Sequence, residues 1–112
     1  MATLYKKKID DNLYEVTNHG RTVRLYKNGV CHSDYNPMKL FNGAVWDLMF
    51  VGGLHNLKMH SKVLVLGVGG GNIIHTLKNY FPDLLITAVD IDQFNLDVAI
   101  NYFEVNYDGV DL

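Results

Sequence analysis

A chain of 112 residues, 48% hydrophobic and 20% charged, has the make-up of an ordinary soluble protein and is long enough for one compact unit at most. A net charge of -2 gives no broad attraction for nucleic acid, which argues against DNA or RNA as a partner. The lone Cys31 excludes an internal disulfide, and without a charged-then-apolar leader or a membrane-length apolar run the expectation is a cytoplasmic protein with no membrane partner.

From the start, Lys6-Lys7-Lys8 reads as a short solvated basic edge, too few lysines for a membrane or nucleic-acid patch. Leu13 to Asn18 and Arg21 to Tyr26 are strand-like runs separated by the turn-prone His19-Gly20. Asn28-Gly29 then calls for a tight hairpin, because both central residues of such a turn need positive φ, and a third strand follows over Val30 to Ser33. The three strands make an antiparallel meander with no intervening helix. Asp34-Tyr35-Asn36-Pro37 is a turn cluster from which a helix is predicted, running from Met38 to Leu54 and ending near Gly52-Gly53. Its Met and aromatic positions are read as core.

The most informative stretch is Lys62 to Asp90. Val63-Leu64-Val65-Leu66 is apolar without alternation, as in a strand buried on both faces of a parallel sheet. Gly67-Val68-Gly69-Gly70-Gly71-Asn72 is a glycine loop that opens a helix from Ile73 to Tyr80, and Leu84 to Val89 is a second parallel strand ended by Asp90. Glycines here let the backbone turn and approach a ligand, and an acid ending the second strand is placed to accept hydrogen bonds from ribose hydroxyls. The dinucleotide fingerprint places a small residue where this chain has Asn72, which weakens an NAD-linked reading. The pattern G-x-G-x-G, on Gly67, Gly69 and Gly71, instead resembles the first motif of class I S-adenosylmethionine-dependent enzymes. Such a ligand has no pyrophosphate to cradle.

Asp92 is placed to cap a helix from Gln93 to about Tyr102, and Asn106 to Leu112 read as a turn leading toward another element. His55, His60 and His75 lack a ligand spacing and are expected on surfaces or loops, so no metal site is assigned. Cys31 is expected as a buried inert thiol, and Ser33 and Ser61 lack a nucleophile-elbow context. The fold class is therefore α/β, a small antiparallel meander (1–36) followed by a helix and an incomplete Rossmann-like, class I methyltransferase-type β-α-β-α unit (37–112). With only two parallel strands in reach, the uncovered surface calls for a second copy or the remainder of a longer protein.

The order of parts, with Gly29-Val30-Cys31-His32-Ser33 before Val63 to Gly71, Phe81-Pro82-Asp83, Val89-Asp90-Ile91-Asp92 and Ala99 to Phe103, resembles the spermidine synthase family over roughly residues 12 to 105. That resemblance implies a transferase that uses S-adenosylmethionine or its decarboxylated form, with a polyamine as a possible acceptor. It carries the nucleoside-binding role onto Gly67, Gly69, Gly70 and Gly71, the ribose-binding role onto Asp90, and a role in the site onto Asp47. The chain departs from the family where its glycine-loop acid falls on Gly70, its glutamine on His32, and its Tyr-His-Glu run on Val45-Trp46-Asp47. A displacement by an amine needs a group to take the amine proton. No catalytic residue is assigned, and the chain alone is expected to be inactive; the alternatives are an S-adenosylmethionine-dependent methyltransferase fragment and a non-catalytic nucleoside- or partner-binding module.

Overall fold

The computed structural model describes residues 1–112 and holds two sheets. The first is an antiparallel meander of four strands, β1 (Ala2–Ile9), β2 (Asn12–His19), β3 (Thr22–Lys27) and β4 (Val30–Tyr35), paired in chain order. The expected turn is present: Asn28 and Gly29 both take positive φ, at 51° and 77°. The meander has one strand more than predicted. Lys6-Lys7-Lys8 lies within β1, whose lack of apolar alternation follows from its edge position, where exposed lysines discourage further pairing. Lys6 also reaches across to Glu15 at 2.7 Å. Inward, Val16 pairs with Leu25 and Leu25 with Ser33, so three strands present one continuous buried line. Cys31 is exposed rather than buried, because the register shift between Leu25 and Tyr26 pairs it with Tyr26, off the face that carries Leu25 and Ser33.

The second sheet is parallel, with β5 (Lys62–Leu66), β6 (Leu85–Val89) and a short β7 (Val110–Asp111) side by side in that order. The terminal turn thus ends in a third parallel strand that two residues of apolar pattern could not announce. Helices α2 (Asn72–Tyr80) and α3 (Gln93–Tyr102) connect the strands. Both crossovers step the same way across the sheet, and since such crossovers share one hand, both helices fall on one face. That face is core: Val65, Ile86 and Ala88 are buried with Ile74 and Leu77 of α2 and Val98 and Ala99 of α3. The opposite face is open, with Leu64, Leu66, Leu85 and Val89 between 46% and 71% exposed. The expectation of strands covered on both faces is met on one side.

The helix predicted from Met38 is shorter, α1 spanning Val45–Gly53 and followed by a single 3-10 turn at Leu54–Asn56. Asp47 explains the late start: its Oδ2 accepts from the backbone N–H groups of Asn42 and Gly43, at 3.0 and 2.6 Å, and fixes the loop in front of the first helical turn. Its apolar residues are not core as predicted. Only Phe50 is buried, whereas Val45, Leu48 and Met49 are exposed.

The meander and the parallel unit share one core, in which Val16, Leu25 and Tyr35 join Ile74, Leu84, Ile86 and Phe103. Polar contacts cross the same boundary. Asp92 caps α3 through the Phe94 N–H, as expected, and also accepts from the Tyr14 hydroxyl. His75 is buried rather than superficial, stacked on Tyr35 with centroids 3.9 Å apart and planes 9° from parallel. Its Nε2 lies 2.5 Å from the Phe103 carbonyl and its Nδ1 meets the Tyr107 hydroxyl. A carbonyl only accepts, so Nε2 carries the proton and Nδ1 accepts from Tyr107. Burial lowers the His75 pKa from its ordinary 6.5, against the opposing pull of the Phe103 carbonyl and the Glu104 charge.

Candidate functional site

The glycine loop lies between β5 and α2, and its backbone amides are almost all engaged by the protein itself. Gly67 N–H donates to the Val89 carbonyl at 2.8 Å, and Gly71 N–H to the Val68 carbonyl at 2.9 Å. Val68 and Gly69 both donate to Asp90 Oδ2, at 2.8 and 3.1 Å. Gly70 donates to Ser33 Oγ at 2.6 Å, and that hydroxyl in turn donates to the His32 carbonyl at 2.7 Å. The last strand of the meander therefore reaches into the loop and closes it.

The glycines serve this closure. Gly69 has φ +55°, and a Cβ there would lie 2.8 Å from Ser33 Oγ. Gly71 has φ +86°, with a Cβ landing 2.6 Å from Val105 Cγ2. At Gly70 the obstacles are Phe103 at 2.6 Å and the Ser33 Cβ at 2.8 Å. Gly67 has open space around it.

Asp90 is the hub. Besides the two loop amides it accepts the Asp92 N–H on Oδ1 at 2.9 Å, and Asn95 Nδ2 lies 3.2 Å from each oxygen. Burial would raise its pKa, but the amides of Asp92, Val68 and Gly69 and the Asn95 side chain outweigh burial and hold the carboxyl below its ordinary 3.8. It is an anchored carboxylate, with Asn95 as its one side-chain partner.

A cleft of about 270 Å³ opens beside this hub. Its lining comes from the ends of β5 and β6 and the start of α3, through Gly67, Val68, Gly69, Asp90 and Asn95, and from β4, α1 and the start of α2, through His32, Ser33, Trp46, Met49, Asn72 and Ile73. Of the residues read as site candidates from sequence, Gly67, Gly69 and Asp90 meet here. Gly70 and Gly71 are turned to the core behind the loop, and Asp47 is tied to the backbone of residues 42 and 43. Trp46, Asn72 and Asn95 were not among the candidates. Asn95 had a readable signal, an amide within one turn of Asp90. Asn72 had one too, as the residue where the dinucleotide pattern needs a small side chain. No three His, Cys, Asp or Glu side chains converge as a metal would require.

No family model matches the chain. It is 48% identical over 46 residues to the eEF1A lysine and N-terminal methyltransferase homolog of Drosophila melanogaster, a match that takes in 41% of this chain and 7% of that protein. It is 39% identical over 56 residues to a probable polyamine aminopropyl transferase of Bifidobacterium longum, taking in 44% of this chain and 13% of the relative. The chain thus spans a small part of the length of the curated relatives it matches. A probable spermidine synthase from Corynebacterium glutamicum superposes with a TM-score of 0.73 at 12% identity, over 98% of this chain and 42% of that one. Over the 42% of that chain it spans, the fold is shared with the probable spermidine synthase, an α/β arrangement of meander and Rossmann-like sheet, and the sequence is similar in part to transferases of the methyl and aminopropyl kinds.

Proposed function

We infer that the cleft beside Asp90 is an adenosyl nucleoside site, and that the chain is the nucleoside-binding part of a spermidine-synthase-like transferase whose donor is S-adenosylmethionine or decarboxylated S-adenosylmethionine. The observation that carries this reading is the internal use of the loop amides. A pyrophosphate-binding loop must offer free N–H groups to phosphate oxygens. Here the amides of Gly67, Val68, Gly69, Gly70 and Gly71 are already given to protein acceptors. A ligand without phosphate fits that loop, and a dinucleotide does not.

Asp90 would receive the ribose hydroxyls, with Asn95 giving way as they arrive, since its two contacts at 3.2 Å are the longest that the carboxylate makes. A carboxylate accepting two hydroxyls contributes on the order of 1.5 to 3 kcal/mol. Asp90→Ala should therefore weaken methylthioadenosine binding in a calorimetric titration by roughly tenfold or more. Unchanged affinity in a folded variant would reduce Asp90 to a brace for the loop.

Group transfer itself is assigned to no residue. Asp47, the one acid carried over from the family's first-half site, gives its Oδ2 to the backbone of Asn42 and Gly43, and its Oδ1 is buried without a partner. We expect nucleoside binding without aminopropyl or methyl turnover from these 112 residues alone.

A further inference from the structure

The glycine loop is held by two acceptors that belong to different sheets. Asp90, at the end of β6, takes the amides of Val68 and Gly69, and Ser33, in β4 of the meander, takes the amide of Gly70. Ser33 is 2% exposed and lines the cleft, yet it has no proton left for a ligand, because its hydroxyl donates to the His32 carbonyl. The residues after it extend the grip along the start of α2. The Asp34 carbonyl accepts from Asn72 Nδ2, and the Tyr35 ring stacks on His75. Loop and strand are in direct contact, since a Cβ at Gly69 would lie 2.8 Å from Ser33 Oγ and one at Gly70 2.8 Å from Ser33 Cβ.

The two acceptors are not equivalent. Asp90 carries its loop contacts together with three others, whereas the buried Gly70 amide has Ser33 as its acceptor. A buried N–H without an acceptor is costly, so removing the hydroxyl disfavours the closed loop against arrangements in which that amide turns to water. A ligand that binds the closed loop is then bound more weakly, in proportion to the fraction of molecules still closed. We propose that Ser33 is a positioning residue, whose hydroxyl holds the glycine loop in its nucleoside-binding form and so lets the meander set the affinity of the cleft. The inference rests on the nucleoside reading of that cleft. The coupling is reciprocal, so nucleoside binding holds the Gly70 amide more firmly on Ser33.

The test compares methylthioadenosine binding by calorimetry to the wild-type chain, to Ser33→Ala, and to Val16→Ala, which empties buried volume in the same meander two strands away and outside the cleft. Ser33→Ala should bind about fivefold or more weakly, while Val16→Ala loses stability and keeps its affinity within about twofold. Affinity within about twofold of wild type in folded Ser33→Ala overturns the proposal, and so does an equal loss in both variants, which would make the effect a general loosening of the meander. If Ser33→Ala does not fold, amide hydrogen exchange on the wild-type chain decides. Exchange of the Gly70 amide should slow by about tenfold or more at saturating methylthioadenosine, and an unchanged rate overturns the proposal. Each of these failures leaves the nucleoside reading standing, whereas no methylthioadenosine binding to the wild-type chain overturns that reading and the role of Ser33 with it.

Discussion

Helices α1 and α2 are both nine residues long, and their burial runs opposite to their composition. α1, Val-Trp-Asp-Leu-Met-Phe-Val-Gly-Gly, is the more apolar and buries only Phe50. α2 carries His, Thr, Lys and Asn and buries six of its residues, His75 and Lys78 among them. Topology decides the difference. α2 lies on the face that both crossovers cover, between the parallel sheet and the meander, and its polar side chains, the Asn72 Oδ1 apart, have found partners there. His75 bridges Phe103 and Tyr107, and Lys78 Nζ donates to the carbonyls of Pro82 and Leu84 at 2.5 and 3.0 Å. α1 touches α2 through Phe50 and Tyr80 beside the edge strand β5, and there Met49, Gly53 and Leu57 line an apolar groove of about 320 Å³ with Leu64 and Leu66 of β5 and Ile73 and Leu77 of α2. Apolar sequence marks what is available for burial, and chain direction marks what is buried.

That contrast breaks first at Phe103, which is fully buried beneath Gly70. Phe103→Ala should cost about 3–5 kcal/mol in denaturant unfolding, the range for emptying a packed aromatic site. A loss under about 1 kcal/mol would mean that the shared core is not the joint between meander and parallel unit. Next comes Gly71→Ala. It forces a Cβ into a left-handed φ and into Val105, and a cost of about 2 kcal/mol is expected. A neutral result there would mean that the loop is not held in the closed form.

The buried His75 sharpens the comparison through pH. Its folded pKa lies below the ordinary 6.5, so the unfolded chain takes up the proton first as pH falls. The His75 contribution is therefore complete above pH 6.5 and is lost as pH falls from there toward the folded pKa. Chemical denaturation between pH 8 and 5 should show that slope in wild type and a flatter one in His75→Gln. Equal slopes would place the pH dependence elsewhere. The smallest effect is expected on the open side: Leu48→Ser, at a side chain 71% exposed, should change stability by no more than about 0.5 kcal/mol. The same substitution should reduce any larger species in light scattering, because a contiguous apolar face of this kind favours association.

The sequence made the parallel unit legible because glycine spacing, β-branched runs and a capping acid are local signals. β5, α2, β6 and α3 all fall within a few residues of their expected bounds. β1 and β7 were hidden for opposite reasons, one by lysines suited to an edge and the other by its length of two residues. The start of α1 was misplaced because Pro37 reads as a helix opener, whereas the decisive contact is the Asp47 carboxylate on the amides of residues 42 and 43. At the site, Asp90 could be read from its place after β6. The hydroxyl of Ser33 on the Gly70 amide could not, being a contact across 37 positions between two sheets.

The central claim is that this glycine loop is closed to phosphate and open to an adenosyl nucleoside. The direct measurement is a pair of calorimetric titrations of the wild-type chain, one with methylthioadenosine and one with NAD. The account predicts saturable binding of methylthioadenosine and none of NAD at the same concentrations. NAD binding as tightly as methylthioadenosine, or more tightly, would contradict it, because the loop amides would then have to leave Asp90 and Ser33 for a pyrophosphate.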